Sequence, residues 1–215
     1  MFVQDRMSSP AVTIIPKTSF QDAMELMREH KFRRLPVVNK KGTLVGIISE
    51  RDLLHAAPSQ ATSLSIWEIT YLLSKLKVRE IMTRKVITTT PDTPIEDAAR
   101  LMVDHKIGGL PVMDEENQIA GIITETDIFG TFVEILAGGR PGLRLTLAAP
   151  EKRDVLLGLC KAIFDQGGSI ASVGSFNGVV PGERRLVVKV QRASKDQLVD
   201  AIEALGDHVL DARTV

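Results

Sequence analysis

The chain holds a single cysteine, Cys160, among 215 residues, which excludes an intrachain disulfide framework. No Cys/His cluster has zinc spacing, and Cys160 lies in an apolar helical pattern that suits a buried bystander rather than a nucleophile. An excess of one charge is also missing. The 27 basic and 27 acidic residues cancel and form no long single-sign run, so bulk attraction to nucleic acid or to an anionic membrane has no basis. Nowhere are about 18 consecutive residues apolar, and no basic segment followed by an apolar run opens the chain. A soluble, cytoplasmic protein is expected, with neither nucleic acid nor membrane as partner. The sequence further lacks a Walker loop, a Gly-rich dinucleotide turn, a paired general acid and base, and a recognisable triad. Catalysis is therefore not expected, and neither is a metal site.

What is present is an internal repeat. A hydrophobic fraction of 44% suits a globular chain long enough for one large or two small domains. Sliding the sequence on itself by 75 residues aligns Val3 to Leu54 with Val78 to Phe129 without a gap. Its best blocks are DAMELMREHKFRRLPVV, from Asp22, against DAARLMVDHKIGGLPVM, from Asp97. They are followed by GIISERD, from Gly46, against GIITETD, from Gly121.

Each copy alternates strand and helix. The β-branched runs Val12 to Ile15 and Val86 to Thr90 read as strands ending at Pro16 and Pro91. Thr93 to Glu96 reads as a capping box, with Thr18 and Gln21 repeating its ends. Phe20, Ala23, Met24 and Met27, matched by Ile95, Ala98, Ala99 and Met102, form the apolar stripe of a half-buried helix. Two short strands follow in each copy, turned at Lys40-Lys41-Gly42 and at Glu115-Glu116-Asn117, and the quoted stretches end a strand and open a helix. Ala56 to Ser63 reads as a connection. The helical pattern after it carries Trp67 and Tyr71, the only Trp and Tyr, and is expected to pack across the copies or at a subunit contact.

After Gly138 to Gly142, a linker in composition, the order becomes βαββαβ. Leu143 to Leu147 alternate as a strand, Val155 to Ile163 fit a helix, and Ile170 to Phe176 pairs with Arg184 to Val190. Ser194 with Gln197 is expected to cap a second helix before a last strand at His208 to Ala212.

The two copies, with their HKxxxLPVV-like strands and [ST]-x-x-D helix starts, resemble the CBS domain pair over about Phe2 to Ala137. The tail, about Gly142 to Val215, resembles an ACT domain, and the combination is similar to bacterial acetoin-utilisation proteins. The fold class expected is thus α+β or α/β: tandem CBS repeats at 1–57 and 78–137 joined by a linker helix at 58–77, a linker at 138–142, and a ferredoxin-like βαββαβ ACT-like domain at 143–215.

The resemblance implies a non-catalytic sensor that binds an adenine nucleotide, AMP, ADP or ATP, in clefts between the copies, with no obligatory cofactor. It implies a homodimer and leaves any protein partner open. It assigns the ribose hydroxyls to Asp52 and Asp127, and hydroxyl contacts near phosphate to Ser49 and Thr124. Base-flanking positions are Thr13, Ile14 and Pro16 with Pro36, and Thr88, Thr89 and Pro91 with Pro111.

The Ser-x-x-Asp pattern is also a helix cap, and both roles can hold together, since a fixed carboxylate can accept from two vicinal hydroxyls. Phosphate requires cations, and His30, Lys31, Arg33 and Arg34 supply them in copy one. Copy two keeps His105 and Lys106 but has Gly108 and Gly109 at the arginine positions, so the clefts are expected to be unequal. For His30 and His105 a helix-capping role stands beside phosphate contact. The loop Ala149 to Asp154 lacks the glycine through which many ACT domains admit an amino acid. Two alternatives stay open: a nucleotide-free interaction scaffold, and a sensor of an adenosyl ligand of the S-adenosylmethionine type.

Overall fold

A computed structural model of the chain describes residues 1–58, 65–150 and 154–215. Most of the expected Ala56–Ser63 connection, and the middle of the Ala149–Asp154 loop, lie outside the described residues. By its contacts the chain divides into Met1–Ile128 and Phe129–Val215.

In the first unit, a 3₁₀ turn at Val3–Asp5 precedes α1 (Phe20–His30), β1 (Arg34–Val38), β2 (Leu44–Ser49) and α2 (Glu50–Ala56). Then come α3 (Ile66–Lys75) and α4 (Val78–Ile81), and the second copy follows as α5 (Ile95–His105), β3 (Gly109–Met113), β4 (Ile119–Thr124) and α6 (Glu125–Ile135). Helix α6 runs on into the second unit. The two hairpins have matching registers, Pro36 opposite Ile47 and Pro111 opposite Ile122, each with a bulge near its turn. Gly42 turns the first hairpin at φ 82°, and Asn117, 75 residues on, takes the same left-handed conformation at φ 58°. Both α1 and α5 stop on a left-handed lysine, Lys31 or Lys106.

Two sequence expectations are corrected here. The β-branched runs make only single bridges, Ile14 to Val37 and Thr89 to Val112, rather than strands. The helices also begin one residue later than Thr18 and Thr93 suggest. The Thr18 and Thr93 hydroxyls instead accept the N–H groups of Ile15 and Thr90, closing the preceding turn. Ser19 then caps α1 by accepting from Asp22, and Pro94, with no side-chain acceptor, stands at the start of α5.

The two repeats exchange their first segments. Val3, fully buried, belongs to the core of repeat two with Ile95, Ala98, Met102, Leu110 and Ile123. Its counterpart Val78, equally buried, belongs to the core of repeat one with Phe20, Ala23, Met27, Leu35 and Ile48. Ser8 bridges Ile122 through paired backbone hydrogen bonds of 2.9 and 3.0 Å, and Thr83 bridges Ile47 with two of 2.9 Å. Gly46 and Gly121 make room for these crossings. A Cβ on Gly121 would lie 2.7 Å from the Ser8 carbonyl oxygen, and one on Gly46 would lie 2.6 Å from Met82 Sδ. The glycine that heads each quoted stretch is thus an admission point for the other repeat's leading segment.

The second unit continues from α6 through β5 (Leu143–Pro150), α7 (Val155–Asp165), β6 (Ser169–Asn177), β7 (Glu183–Gln191), α8 (Lys195–Glu203) and β8 (His208–Thr214). Its antiparallel sheet has the order β6-β7-β5-β8, the split βαβ arrangement. Leu145, Leu147, Val188 and Val190 on one sheet face pack against Leu159 and Ile163 of α7 and Leu198 and Ile202 of α8. Ser194 precedes α8 at the expected place but makes no side-chain cap.

Candidate ligand clefts between the repeats

The Ser49 amide and hydroxyl donate to Asp52 Oδ2 at 2.8 and 2.7 Å, and the Asp52 N–H donates to Ser49 Oγ at 3.2 Å. This capping box fixes the carboxylate in the first turn of α2, facing the positive end of the helix. These bonds engage Oδ2 rather than Oδ1. At the second position the Thr124 amide and hydroxyl both donate to Asp127 Oδ2 at 2.7 Å, fixing that carboxylate in the same way.

Two cavities adjoin these caps, of about 500 and 370 Å³. In the first, Ser49 and Asp52 of repeat one face Lys106 to Gly109 of repeat two, with Val86 and Ile87. In the second, Thr124 and Asp127 of repeat two face Lys31 to Arg34 and Pro36 of repeat one, with Ala11 and Val12. Each cleft therefore combines the acidic cap of one repeat with the basic approach to the strand of the other. Arg33, Arg34 and Glu125 border both cavities.

Of the positions expected to flank a base, Pro36 lines a cavity, whereas Thr13, Ile14, Pro16, Thr88, Thr89, Pro91 and Pro111 line neither. Ile14 and Thr89 are buried. Their backbones bond to Pro36 and Val38, and to Pro111 and Met113, so this part of the segment is committed to its sheet. The chain crosses the clefts earlier, at Ala11-Val12 and Val86-Ile87. His30 also lines neither cavity. Its ring stacks on Phe32, with centroids 5.2 Å apart and planes 13° from parallel, while Lys31 does line the second cleft.

Arg34 reaches across the repeat boundary, and its Nη1 donates to the Gly108 carbonyl oxygen. A Cβ on Gly109 would stand 2.9 Å from Arg34 Nη1, and one on Gly108 would press on both Arg34 Nη2 and the Glu125 carboxylate. The glycines at the arginine positions of copy two thus make room for the arginine of copy one. Burial lowers the Arg34 pKa, the nearby Glu125 charge opposes that shift, and Arg33 adds to it. Arg34 is therefore already engaged at the boundary, which distinguishes it from Arg33.

Several lining residues were not singled out from the sequence, among them Arg51, Lys85, Phe32 and Glu125. The available signal was the 75-residue offset, which pairs most positions of the two linings. Among the described residues no group of three or more His, Cys, Asp or Glu side chains could hold a metal ion, and no helix is long and apolar enough to cross a membrane.

A family model for the CBS domain matches residues 3–59 and 78–134. Among solved structures, the CBS domain pair of protein MJ0100, in complex with 5′-methylthioadenosine and S-adenosyl-L-methionine, is 32% identical with a TM-score of 0.52, covering 61% of this chain and 95% of that one. CBSX2 of Arabidopsis thaliana, in complex with AMP, is 33% identical with a TM-score of 0.51, covering 62% and 97%. A Vibrio cholerae protein assigned to acetoin utilization (AcuB) is 30% identical with a TM-score of 0.53, covering 64% and 93%.

Proposed function

The chain belongs to the CBS domain family, and on that premise we propose that it is a non-catalytic sensor binding an adenine nucleotide (AMP, ADP or ATP) in the clefts between its repeats. The observation that carries this reading is the pairing of a fixed carboxylate, Asp52 or Asp127, with a basic segment from the opposite repeat across one cavity. The carboxylate accepts the vicinal ribose hydroxyls, and Ser49 or Thr124 and the facing cations take the phosphate end. A ligand seated there touches both repeats, so it favours the relative arrangement that it binds more tightly, and only that difference in affinity can signal.

The tail serves in this reading as an ACT-like, ferredoxin-like domain for homodimerisation or output, supported by its sheet order. Self-association is further supported by the exposed side chains Phe129, Phe132 and Val133 on α6. A second reading, an adenosyl ligand of the S-adenosylmethionine type, draws support from the ligands of the MJ0100 pair.

Thermal shift with AMP, ADP, ATP and S-adenosylmethionine tests the proposal. A bound ligand at about 100 times its Kd adds roughly 2.7 kcal/mol of stability. Asp52→Asn/Asp127→Asn, which keeps the side-chain shape at both caps, is expected to abolish the shift. An unchanged melting temperature with every ligand in the wild-type protein would leave the scaffold reading instead.

A further inference from the structure

Because most positions of the two linings correspond at an offset of 75, their differences can be read pair by pair. Lys106 answers to Lys31, Asp52 to Asp127 and Glu50 to Glu125, and Glu125 borders both cavities. Several pairs do not match, and three of them set the clefts apart, since Arg33 and Arg34, aligned with Gly108 and Gly109, border both cavities. The first cleft has Arg51 and Lys85 where the second has Thr126 and Pro10, and it has Ile107 where the second has Phe32. The arginines at the boundary are common to both cavities and do not distinguish them. The Asp52 cleft thus has two more cations against one more carboxylate, and it is larger, at about 500 against 370 Å³. The Asp127 cleft has an aromatic ring, Phe32, which stacks with His30, beside Ala11, Val12 and Pro36.

Resting on the nucleotide reading, we propose that the clefts divide their ligands by charge. The Asp52 cleft takes a nucleoside polyphosphate, and the Asp127 cleft takes an adenosyl compound of low charge whose base lies against Phe32. A triphosphate brings three to four negative charges past the carboxylates of Glu50, Asp52 and Glu125, and Arg51 and Lys85 supply the added compensation that Thr126 and Pro10 cannot. A neutral adenosine derivative needs no such compensation. It gains instead from stacking, because every base presents a π face to an aromatic side chain. The chain can then report two ligands at once, one for phosphate charge and one for an uncharged adenosyl group.

Calorimetric titration of the full chain with ATP and with 5′-methylthioadenosine tests the division. In the wild-type protein each probe is expected to bind at one site per chain, and saturation with one is expected to leave the other able to bind. Arg51→Thr/Lys85→Ala, both exposed positions, should weaken ATP by roughly thirtyfold or more and leave 5′-methylthioadenosine within about twofold. Phe32→Ile, which copies the other cleft, should weaken 5′-methylthioadenosine by roughly fivefold or more and spare ATP. Circular dichroism of both variants establishes that they fold. Parallel loss of both probes in either variant, or competition of the probes for one site, overturns the division while leaving the nucleotide reading intact. Binding of neither probe to the wild-type protein overturns both.

Discussion

Replacing Gly121 with alanine should damage the first unit far more than replacing Gly46, although the two glycines occupy equivalent places in the repeat. A Cβ at Gly121 would stand 2.7 Å from the carbonyl oxygen of Ser8 and 2.9 Å from Met7 Sδ. A normal carbon–oxygen contact is about 3.3 to 3.6 Å, so the backbone of the exchanged segment must retreat by more than half an ångström. That retreat strains the Ser8–Ile122 pair of hydrogen bonds, now 2.9 and 3.0 Å. Overpacking of this kind costs about 1–3 kcal/mol, and a weakened backbone bond about 0.5–1.5 kcal/mol, which places Gly121→Ala at roughly 2–4 kcal/mol.

At Gly46 the nearest atom is instead Met82 Sδ at 2.6 Å, the flexible part of a side chain, while the Thr83 carbonyl oxygen stands at 3.1 Å. A thioether swings aside readily, and alanine reduces the freedom of the unfolded chain by about 0.4–1 kcal/mol. Gly46→Ala should therefore cost no more than about 1 kcal/mol. Hydrogen exchange is the suited assay, because it reads each amide even where two units unfold separately. The Ile122 and Ser8 amides should lose protection in Gly121→Ala, whereas those of Ile47 and Thr83 should keep theirs in Gly46→Ala. Equal, small effects of the two substitutions would refute the exchange of leading segments as the reason for these glycines.

Thr89→Val should stabilise the protein by about 1–2 kcal/mol, because the buried Thr89 Oγ1 has no hydrogen-bond partner among the described residues and valine keeps its shape. A thermal melt reads this, and a fall in melting temperature would show that the hydroxyl is bonded in solution. Acid should loosen the start of α3. The Ser65 hydroxyl, and then its amide, hydrogen-bond Glu68 and hold its carboxyl below the usual glutamate range. Since that pKa is depressed in the folded state, the contribution is complete above the ordinary glutamate pKa and is lost as pH falls through the lowered value. The Ser65 amide shift, followed by NMR, should report the lowered midpoint. Titration at the ordinary glutamate value would contradict it.

The repeat was legible because its signals are local. A hydroxyl three residues before an aspartate is a helix cap whatever surrounds it, and Gly42 and Asn117 mark turns through their own backbone freedom. The tail was legible for the same reason, since alternation at Leu143, Leu145 and Leu147 and the helical stripe of Leu159 and Ile163 do not depend on distant partners. What escaped was pairing across the chain. The offset makes Val3 equivalent to Val78, but nothing local says that each enters the other repeat's core. For the same reason the partners across each cleft were not legible: Lys31 to Arg34 face Asp127, Arg33 and Arg34 border the Asp52 cavity as well, and Gly108 and Gly109, read as a loss of charge, turn out to admit Arg34. The helix starts slipped by one residue because Thr18 and Thr93 can close a turn or cap a helix, and the backbone path decides which.

The most direct test of the central claim is a crystal structure of the full chain with ATP. The ribose hydroxyls should lie within hydrogen-bond distance of the Asp52 carboxylate, with the phosphates among Arg51, Lys85 and Lys106 of the same cleft. A nucleotide seated away from both Asp52 and Asp127, or bound within a single repeat without reaching across to the other, would contradict it.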